Sequence, residues 1–396
     1  MISRALNPGA RGAIPIDDAT FISRPPTAVG HVQQWPVLNR QRIIYPEEAG
    51  MHGMQYYTYL EPVTLESLRL DHSPRDNMGV IHICFYALLT GESGARYNVM
   101  RGLPHPDKRS SMNFGTYRGT DELDATGSLA IPFREQPPVE PFWSTYGDDS
   151  VVYEGETFRY EMDTVGYHWL DANGRIDLRA ERLGQAFSLY VPKQDLFEYP
   201  IILRDHLAKV SGTIDGEAVE GIFHDSHMYS QPDKTFQQIQ FTSLLEEYWM
   251  DWLVEYDDGS LEGGFAMRGK PATDYTMAHH YVDGRSQARS DARLEITRND
   301  NGTMEHVKLT QGKTFELHCD QHGSFDWPLH TYGTVTSIAN RDKKIVKSWN
   351  YTENWPRNWG LVENYQLAHA ELFGRYPSLR EILEKSRIVD ETLVFG

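Results

Sequence analysis

The sequence is poor in cysteine and in positive charge, and both deficits limit the class of protein. Only Cys84 and Cys319 occur among 396 residues, too few for the disulfide framework of a small secreted protein. Lysine and arginine number 38 against 56 aspartates and glutamates, for a formal net charge of -18. Because phosphate recognition needs clustered cations, we expect no nucleic-acid partner. We expect a cytoplasmic protein with reduced thiols.

Long apolar runs and nucleotide-binding motifs are missing as well. No segment approaches the roughly 20 apolar residues of a membrane-spanning helix, so we expect no membrane span. The N-terminus has no continuous apolar core of the kind that marks a secretory signal. No Gly-rich phosphate loop, dinucleotide fingerprint or Gly-x-Ser-x-Gly elbow occurs. These absences argue against nucleotide-dependent enzymes and α/β-hydrolases, and we expect any catalysis to need no cofactor and no metal.

What the sequence has in abundance is turn dipeptides between short alternating runs. Asn173-Gly174, Asp215-Gly216, Asp258-Gly259 and Asp283-Gly284 are examples. Each separates segments in which apolar and polar residues alternate, as in hairpins. Strands with one polar face are antiparallel. The pattern predicts an all-β protein built from two consecutive antiparallel β-barrel or sandwich domains.

Composition divides the chain into four parts. Residues 1–45 are rich in Pro, Gly and Arg and predict an extended arm, while residues 46–232 and 233–363 predict the first and the second β domain. Residues 364–396 predict a helical tail, because a helical pattern there ends at a glycine and Ser378 then caps a second one. The sequence leaves open whether the protein forms a homodimer.

A concentration of proton-handling side chains follows the Asp215-Gly216 turn. His224, Asp225, His227 and Tyr229 lie within six consecutive residues, at the far end of a predicted strand. Because strand side chains alternate between two faces, Asp225, His227 and Tyr229 are expected on one face and His224 on the other. An acid kept protonated in an apolar pocket beside a histidine suits proton transfer at carbon.

Three stretches resemble the two-domain lipocalin-like family of carotenoid 1,2-hydratases (hydroxyneurosporene synthases), AttH proteins and fungal Diels-Alderases. Gly221-Ile-Phe-His-Asp-Ser-His-Met-Tyr229, after its strand and turn, is similar to the family's Asp-His-x-Trp-Gly signature. Trp249-Met-Asp-Trp-Leu-Val-Glu-Tyr256 is similar to the hairpin that opens its second barrel, and Trp359-Gly-Leu-Val-Glu363 to its closing Gly-x-x-Glu strand. The resemblance implies two lipocalin-like domains.

The resemblance also implies roles for individual residues. In the hydratases a histidine, an aromatic residue two positions later and a later Tyr-x-Asp act in protonating and hydrating a terminal alkene. His227 and Tyr229 match the first two places, and Tyr256 offers the third. The family's Trp-Gly pair is not kept here, and the alignment gap that this creates leaves Asp225 and His224 as rivals of His227.

We predict a cofactor-independent lyase or isomerase that acts on an isoprenoid, steroid-like or aromatic molecule by hydration, dehydration, double-bond migration or cyclisation. Asp225 would donate the proton, His227 would tune it or act as base, and Tyr229 and Tyr256 would hold the substrate or stabilise charge. The hydrophobic substrate is expected in an aromatic-rich pocket near the domain junction. The candidates for binding it are Tyr167, Trp169, Trp249, Asp251 and Trp252.

Other interpretations stay open. A protein of the same shape could carry a hydrophobic small molecule without converting it. His224, Asp225 and His227 could instead hold a metal in a metal-dependent enzyme, although no spacing in the chain matches a structural zinc site. Finally, Asp225 could cap a turn while His227 and Tyr229 pack as ordinary buried residues.

Overall fold

The structure is a computed structural model that describes residues 54–75, 77–104, 109–117, 139–234, 238–300, 302, 304–326, 330–362 and 386–395. The predicted arm at residues 1–45 lies outside the described residues. Within the described residues the strands, in chain order, are β1 (Tyr57–Glu61), β2 (Gly79–Gly91), β3 (Arg96–Pro104), β4 (Arg109–Tyr117), β5 (Val139–Tyr146), β6 (Val151–Gly155), β7 (Arg159–Met162), β8 (Gly166–Asp171), β9 (Ile176–Arg182), β10 (Ala186–Val191), β11 (Ile201–Ile214), β12 (Glu217–Ser230), β13 (Tyr248–Tyr256), β14 (Leu261–Arg268), β15 (Thr276–Val282), β16 (Arg285–Arg289), β17 (Ala292–Arg298), β18 (Met304–Gln311), β19 (Phe315–Asp326), β20 (His330–Ile338), β21 (Ile345–Asn354), β22 (Ser386–Val389) and β23 (Thr392–Phe395).

The helical elements of the described residues are short. Single 3-10 turns occupy Glu66–Leu68 and Ala172–Gly174. One π-helical turn, Phe241–Leu245, precedes β13, and residues 359–362 are helical. No helix among the described residues is long and apolar enough to span a membrane. The prediction of an all-β, antiparallel protein is confirmed.

The first twelve strands form one antiparallel sheet, and ten of them close into a ring. From β11 the order runs through β12 and β2 and on to β9, which pairs back with β11. β11 can close the ring because it is long: residues 208–214 pair with β9, while residues 201–205 pair with β10, which carries β1 beyond it. The ring is a barrel with its own interior, which we call the first barrel.

The second sheet has nine strands in the order β16, β15, β14, β13, β21, β20, β19, β18, β17. Its last strand, β17, approaches β14 and β15, so the sheet curls towards closure without pairing its edges. The predicted domain boundary near residue 232 lies in the connection between β12 and β13. That each sheet is a separate domain stays a prediction.

Strand alternation distributes the buried residues into three layers. On β12, Phe223 lies in the interior of the first barrel and Ile222 lies between the two sheets. On β13, Leu253 lies between the sheets and Met250 lies on the inner face of the second sheet. The layer between the sheets is shared by both, so each of these strands contributes to two cores.

The end of the chain differs from the sequence prediction where the structure describes it. Residues 386–395, placed in the helical tail, form a hairpin of β22 and β23. The hairpin is anchored by Asn358, whose side chain donates to the Leu393 carbonyl at 3.0 Å and accepts from the Leu393 amide at 2.9 Å. The helices predicted between residues 364 and 385 lie outside the described residues.

Candidate functional site

The turn between β11 and β12 fixes which side chains meet inside the first barrel. Asp215 and Gly216 have φ angles of 51° and 82°, as a two-residue type I′ turn requires. The resulting register places His206 opposite Asp225 and Arg204 opposite His227. Directly opposite residues of an antiparallel pair share a face. The hairpin therefore brings ionisable side chains from both strands to the interior of the barrel.

His206, Asp225 and His227, which we call the barrel cluster, are at most 1% exposed. Asp225 Oδ2 lies 3.1 Å from His227 Nε2 and 3.3 Å from His206 Nδ1. The first contact is a hydrogen bond, whereas the second lacks the alignment of one. Asp225 Oδ1, His227 Nδ1 and His206 Nε2 make no aligned hydrogen bond within the described residues, although the hydroxyls of Tyr160 and Tyr167 interact with the Asp225 carboxylate. Such buried, unpaired polar atoms are uncommon in proteins and indicate a place for a ligand, ion or water.

The charges within the barrel cluster can be assigned from its surroundings. Burial raises the pKa of Asp225, but the neighbouring His227 and His206 outweigh it and hold the pKa well below its usual range. Burial lowers the pKa of His206 to about 3, against the opposing effect of the nearby carboxylate. At neutral pH Asp225 is therefore ionised and His206 is neutral. This corrects the prediction that Asp225 donates a proton, because an ionised carboxylate has none to give.

Tyr229 also lies in the first barrel, where its hydroxyl group is fully engaged. It is 3.1 Å from Arg204 Nη1, from which it accepts, and 3.3 Å from the Ser67 carbonyl, to which it donates. Burial raises its pKa to about 12. The phenol is thus neutral and fixed in position. Tyr229 is therefore better suited to shaping the interior and holding Arg204 in place than to transferring a proton.

Aromatic rings line the interior around the barrel cluster. Phe223, two residues before Asp225, packs against Tyr167 with ring centroids 4.9 Å apart and against Trp169 at 6.3 Å. Tyr160 is fully buried, and its hydroxyl lies beside the Asp225 carboxylate without an aligned hydrogen bond. Tyr167 and Trp169, predicted to bind substrate, therefore share the barrel interior with Asp225. A barrel of ten strands is wider than the eight-stranded barrels that side chains just fill.

His224 points to the opposite face of β12, into the layer between the sheets. Its Nε2 lies 3.0 Å from Asp205 Oδ1 and its Nδ1 3.1 Å from Asp251 Oδ1. Burial lowers the pKa of His224, but the two carboxylates outweigh it and raise the pKa to about 10. Trp249 and Tyr86 both donate hydrogen bonds to Asp251 Oδ2. His224 is thus a buried imidazolium that links β11, β12 and β13.

Trp252 and Tyr256 lie on the inner face of the second sheet. The Tyr256 hydroxyl donates to Glu262 Oε2 at 2.6 Å, and Glu262 is also paired with Arg341 at 2.7 Å and His280 at 2.8 Å. The residues predicted to form one site are therefore divided among three layers. The structure brings Asp225, His227, Tyr229, Tyr167 and Trp169 together, places His224, Trp249 and Asp251 between the sheets, and separates Trp252 and Tyr256 from both groups.

Sequence reasoning missed three residues of the barrel interior, namely Arg204, His206 and Tyr160. Two of them were detectable. Arg204, Asp205 and His206 are three polar residues in succession within an otherwise apolar strand, an arrangement that buried strands tolerate only when partners are supplied. Tyr160 stands in an ordinary alternating strand and carries no such signal. The structure also corrects the metal alternative, because His206 and not His224 lies beside Asp225 and His227.

Fold and cluster together define an all-β protein in which a ring of strands encloses a buried histidine–carboxylate group. Solved structures similar to the chain include an AttH protein of Nitrosomonas europaea, 11% identical over 75% of this chain and 99% of that chain, with a TM-score of 0.37. CghA, solved with Sch210972, is 11% identical over 69% of this chain and 87% of that chain, with a TM-score of 0.39. Kievitone hydratase from Nectria haematococca is 10% identical over 71% and 90%, with a TM-score of 0.33.

These three proteins are members of the lipocalin-like family that the sequence motifs resemble. At such identities and TM-scores the likeness carries no information about the reaction of this chain. Neither the protein-family models nor the curated proteins give a match to the sequence.

Proposed function

We propose that the protein is a cofactor-independent lyase or isomerase that transfers a proton to or from a hydrophobic small molecule inside the first barrel. The observation that carries the proposal is the pairing of an ionised, fully buried Asp225 with His227 in an interior lined by aromatic rings. A carboxylate that is held beside an imidazole, away from water, is the usual arrangement for a histidine general base. Isoprenoid, steroid-like and aromatic molecules match the chemistry of the walls.

The geometry assigns different tasks to the two nitrogens of His227. Nε2 faces Asp225, so it carries the hydrogen of that contact when the ring is neutral, while Nδ1 has no partner. The free Nδ1 lone pair can accept a proton from a substrate carbon, and Asp225 then stabilises the resulting imidazolium. Returning that proton to a different carbon completes a double-bond migration. Returning it to a substrate hydroxyl, which leaves as water, completes a dehydration, and the reverse sequence is a hydration.

Two further features favour a bound apolar ligand. Phe223 and Tyr167 pack against each other, and the Tyr167 hydroxyl lies beside Asp225. Aromatic walls with a few fixed polar groups are typical of small-molecule sites. Tyr160 adds a buried hydroxyl beside Asp225 that is not held in an aligned hydrogen bond. Such a group can orient a substrate oxygen, which an apolar wall cannot do. A ligand with a mostly hydrocarbon body and one oxygen function fits this set.

The experiment is a comparison of variants on a lipophilic metabolite extract, with products followed by mass spectrometry. We expect Asp225→Asn and His227→Gln each to lower turnover by about 10²- to 10⁴-fold, the range typical of general acid–base groups. His306→Ala, a surface histidine of the second sheet, is the matched control and should leave turnover unchanged. Wild-type rates in both barrel variants would contradict the proposal. A compound that is retained but never converted would instead indicate a carrier protein.

A further inference from the structure

The barrel cluster also has the composition of a metal site. It offers two imidazoles and one carboxylate, and one donor atom from each lies within 4.8 Å of the others. Two imidazoles and a carboxylate are a common protein ligand set for divalent transition metals, and such a set leaves coordination positions open. All three side chains are buried, so the set differs from the loose acidic and histidine groups that occur on protein surfaces.

The two donor spacings that involve Asp225 agree with coordination. Donors that lie about 2.1 Å from an ion are about 3.0 Å apart in an octahedral site and about 3.4 Å apart in a tetrahedral one. Asp225 Oδ2 lies 3.1 Å from His227 Nε2 and 3.3 Å from His206 Nδ1. The second contact is not aligned as a hydrogen bond although both atoms are buried. An ion between the three side chains would bind the donor atoms of His206 and Asp225 that already lie 3.3 Å apart.

We propose that His206, Asp225 and His227 bind one divalent transition-metal ion inside the first barrel. The donor set contains no sulfur, which favours Zn²⁺, Co²⁺, Fe²⁺ or Ni²⁺ over Cu⁺. The inference concerns the same residues as the proposed function but does not depend on that activity. An ion on His227 Nε2 would replace the hydrogen-bonded contact with Asp225, so metal binding and the proposed proton transfer exclude each other. The metal would then act as a reversible inhibitor of the site.

A second pair of histidines provides the control. His306 Nε2 and His318 Nδ1 lie 3.0 Å apart across β18 and β19, and both side chains are partly exposed. Exposed histidine pairs bind transition metals weakly, so this surface pair is a competing site for added metal. His306→Ala removes it without touching the first barrel. The variant therefore separates binding at the surface from binding at the barrel cluster.

The test is a titration of the full chain with Co²⁺, after purification without an affinity tag and treatment with a chelator, followed by visible absorption and by displacement with Zn²⁺. We expect one equivalent bound by the wild type and by His306→Ala. His206→Gln and Asp225→Asn should weaken binding by more than the roughly 10- to 100-fold that loss of an outer-shell partner causes.

A variant that unfolds would lose binding for a trivial reason, so the melting temperature of each variant is measured without metal. In the wild type, Co²⁺ should raise the melting temperature, because a ligand that binds only the folded state stabilises it. Absence of stoichiometric binding by the wild type, or binding lost in His306→Ala and kept in His206→Gln, would overturn the inference. Turnover by a chelator-treated protein that binds no Co²⁺ would refute this inference alone. Co²⁺ binding by a protein that shows no turnover when it is metal-free would refute the proposed function alone.

Discussion

Replacing His224 with alanine tests whether a buried imidazolium holds the two sheets together. In the wild type this ring lies between Asp205 and Asp251, at 3.0 and 3.1 Å. Its pKa rises from 6.5 to about 10, which corresponds to about 5 kcal/mol, since one pKa unit is about 1.4 kcal/mol. Burial raises the pKa of Asp205, and that cost offsets part of the gain. We therefore expect a loss of about 3 to 5 kcal/mol, as for other broken buried ion pairs.

The sign of the pH dependence is fixed by the direction of the shift. Because the folded-state pKa of His224 lies above the unfolded value of 6.5, its contribution is complete below pH 6.5 and is lost as the pH rises towards 10. The difference in unfolding free energy between the wild type and His224→Ala, measured by urea denaturation at pH 6, 8 and 10, should show this decline, because the opposite contributions of other buried histidines cancel in the difference. His224→Ala should therefore be least stable relative to the wild type at pH 6.

A matched control is the surface pair of His168 and Asp177. The Nε2 to Oδ1 distance is 2.9 Å, close to those at His224, but the two side chains are 22% and 47% exposed. Exposed pairs contribute about 0 to 1 kcal/mol, so His168→Ala should change the free energy of unfolding little. Equal losses in His168→Ala and His224→Ala, or wild-type stability that increases between pH 6.5 and 10, would refute the reasoning.

Two further predictions concern acid stability and strand packing. Burial lowers the pKa values of His206 and His279 to about 3. Each ring is neutral in the folded state, so it adds no pH-dependent cost above pH 6.5 and should cost about 2 kcal/mol of stability at pH 5; equal urea midpoints at pH 7 and pH 5 would contradict this. A Cβ at Gly221 would lie 1.9 Å from the Leu88 carbonyl oxygen, whereas one at Gly259 (φ 80°) would meet nothing within 4 Å. In denaturation experiments Gly221→Ala should therefore cost clearly more than the roughly 1 kcal/mol expected for Gly259→Ala; similar losses would refute the close approach of β12 to β2.

The all-β fold and the faces of β12 follow from local patterns. Turn dipeptides such as Asp215-Gly216 adopt the positive φ angles that a two-residue hairpin needs. Alternation along the strand separates His224 from Asp225 and His227, and the structure places them in different layers. Both inferences need only neighbouring residues. The sequence does not predict the hairpin at residues 386–395, because its short strands come directly after a segment with a helical pattern. The hairpin is held by hydrogen bonds to Asn358, which is distant in the sequence.

The division of the predicted site among three layers has a different origin. Alternation on β13 separates Trp249 and Asp251 from Trp252 and Tyr256, but it does not say which face meets the first sheet. That choice depends on how the two sheets pack, which involves residues far apart in the chain. Aromatic residues that look equivalent in the sequence therefore end in separate cores.

The pairing of Asp225 with His206 follows from the register of the β11–β12 hairpin and not from the pattern of residues within β12. In a hairpin with a two-residue turn, residues equally distant from the turn lie opposite each other. His206 and Asp225 each lie eight residues from the flanking pair, Ile214 and Glu217. His227 is the main cause of the lowered pKa of Asp225, and His206 adds to it. Hairpin register therefore predicts that His206 belongs to the barrel cluster, which the stretch from Gly221 to Tyr229 alone does not show, while proton transfer by His227 stays a proposal.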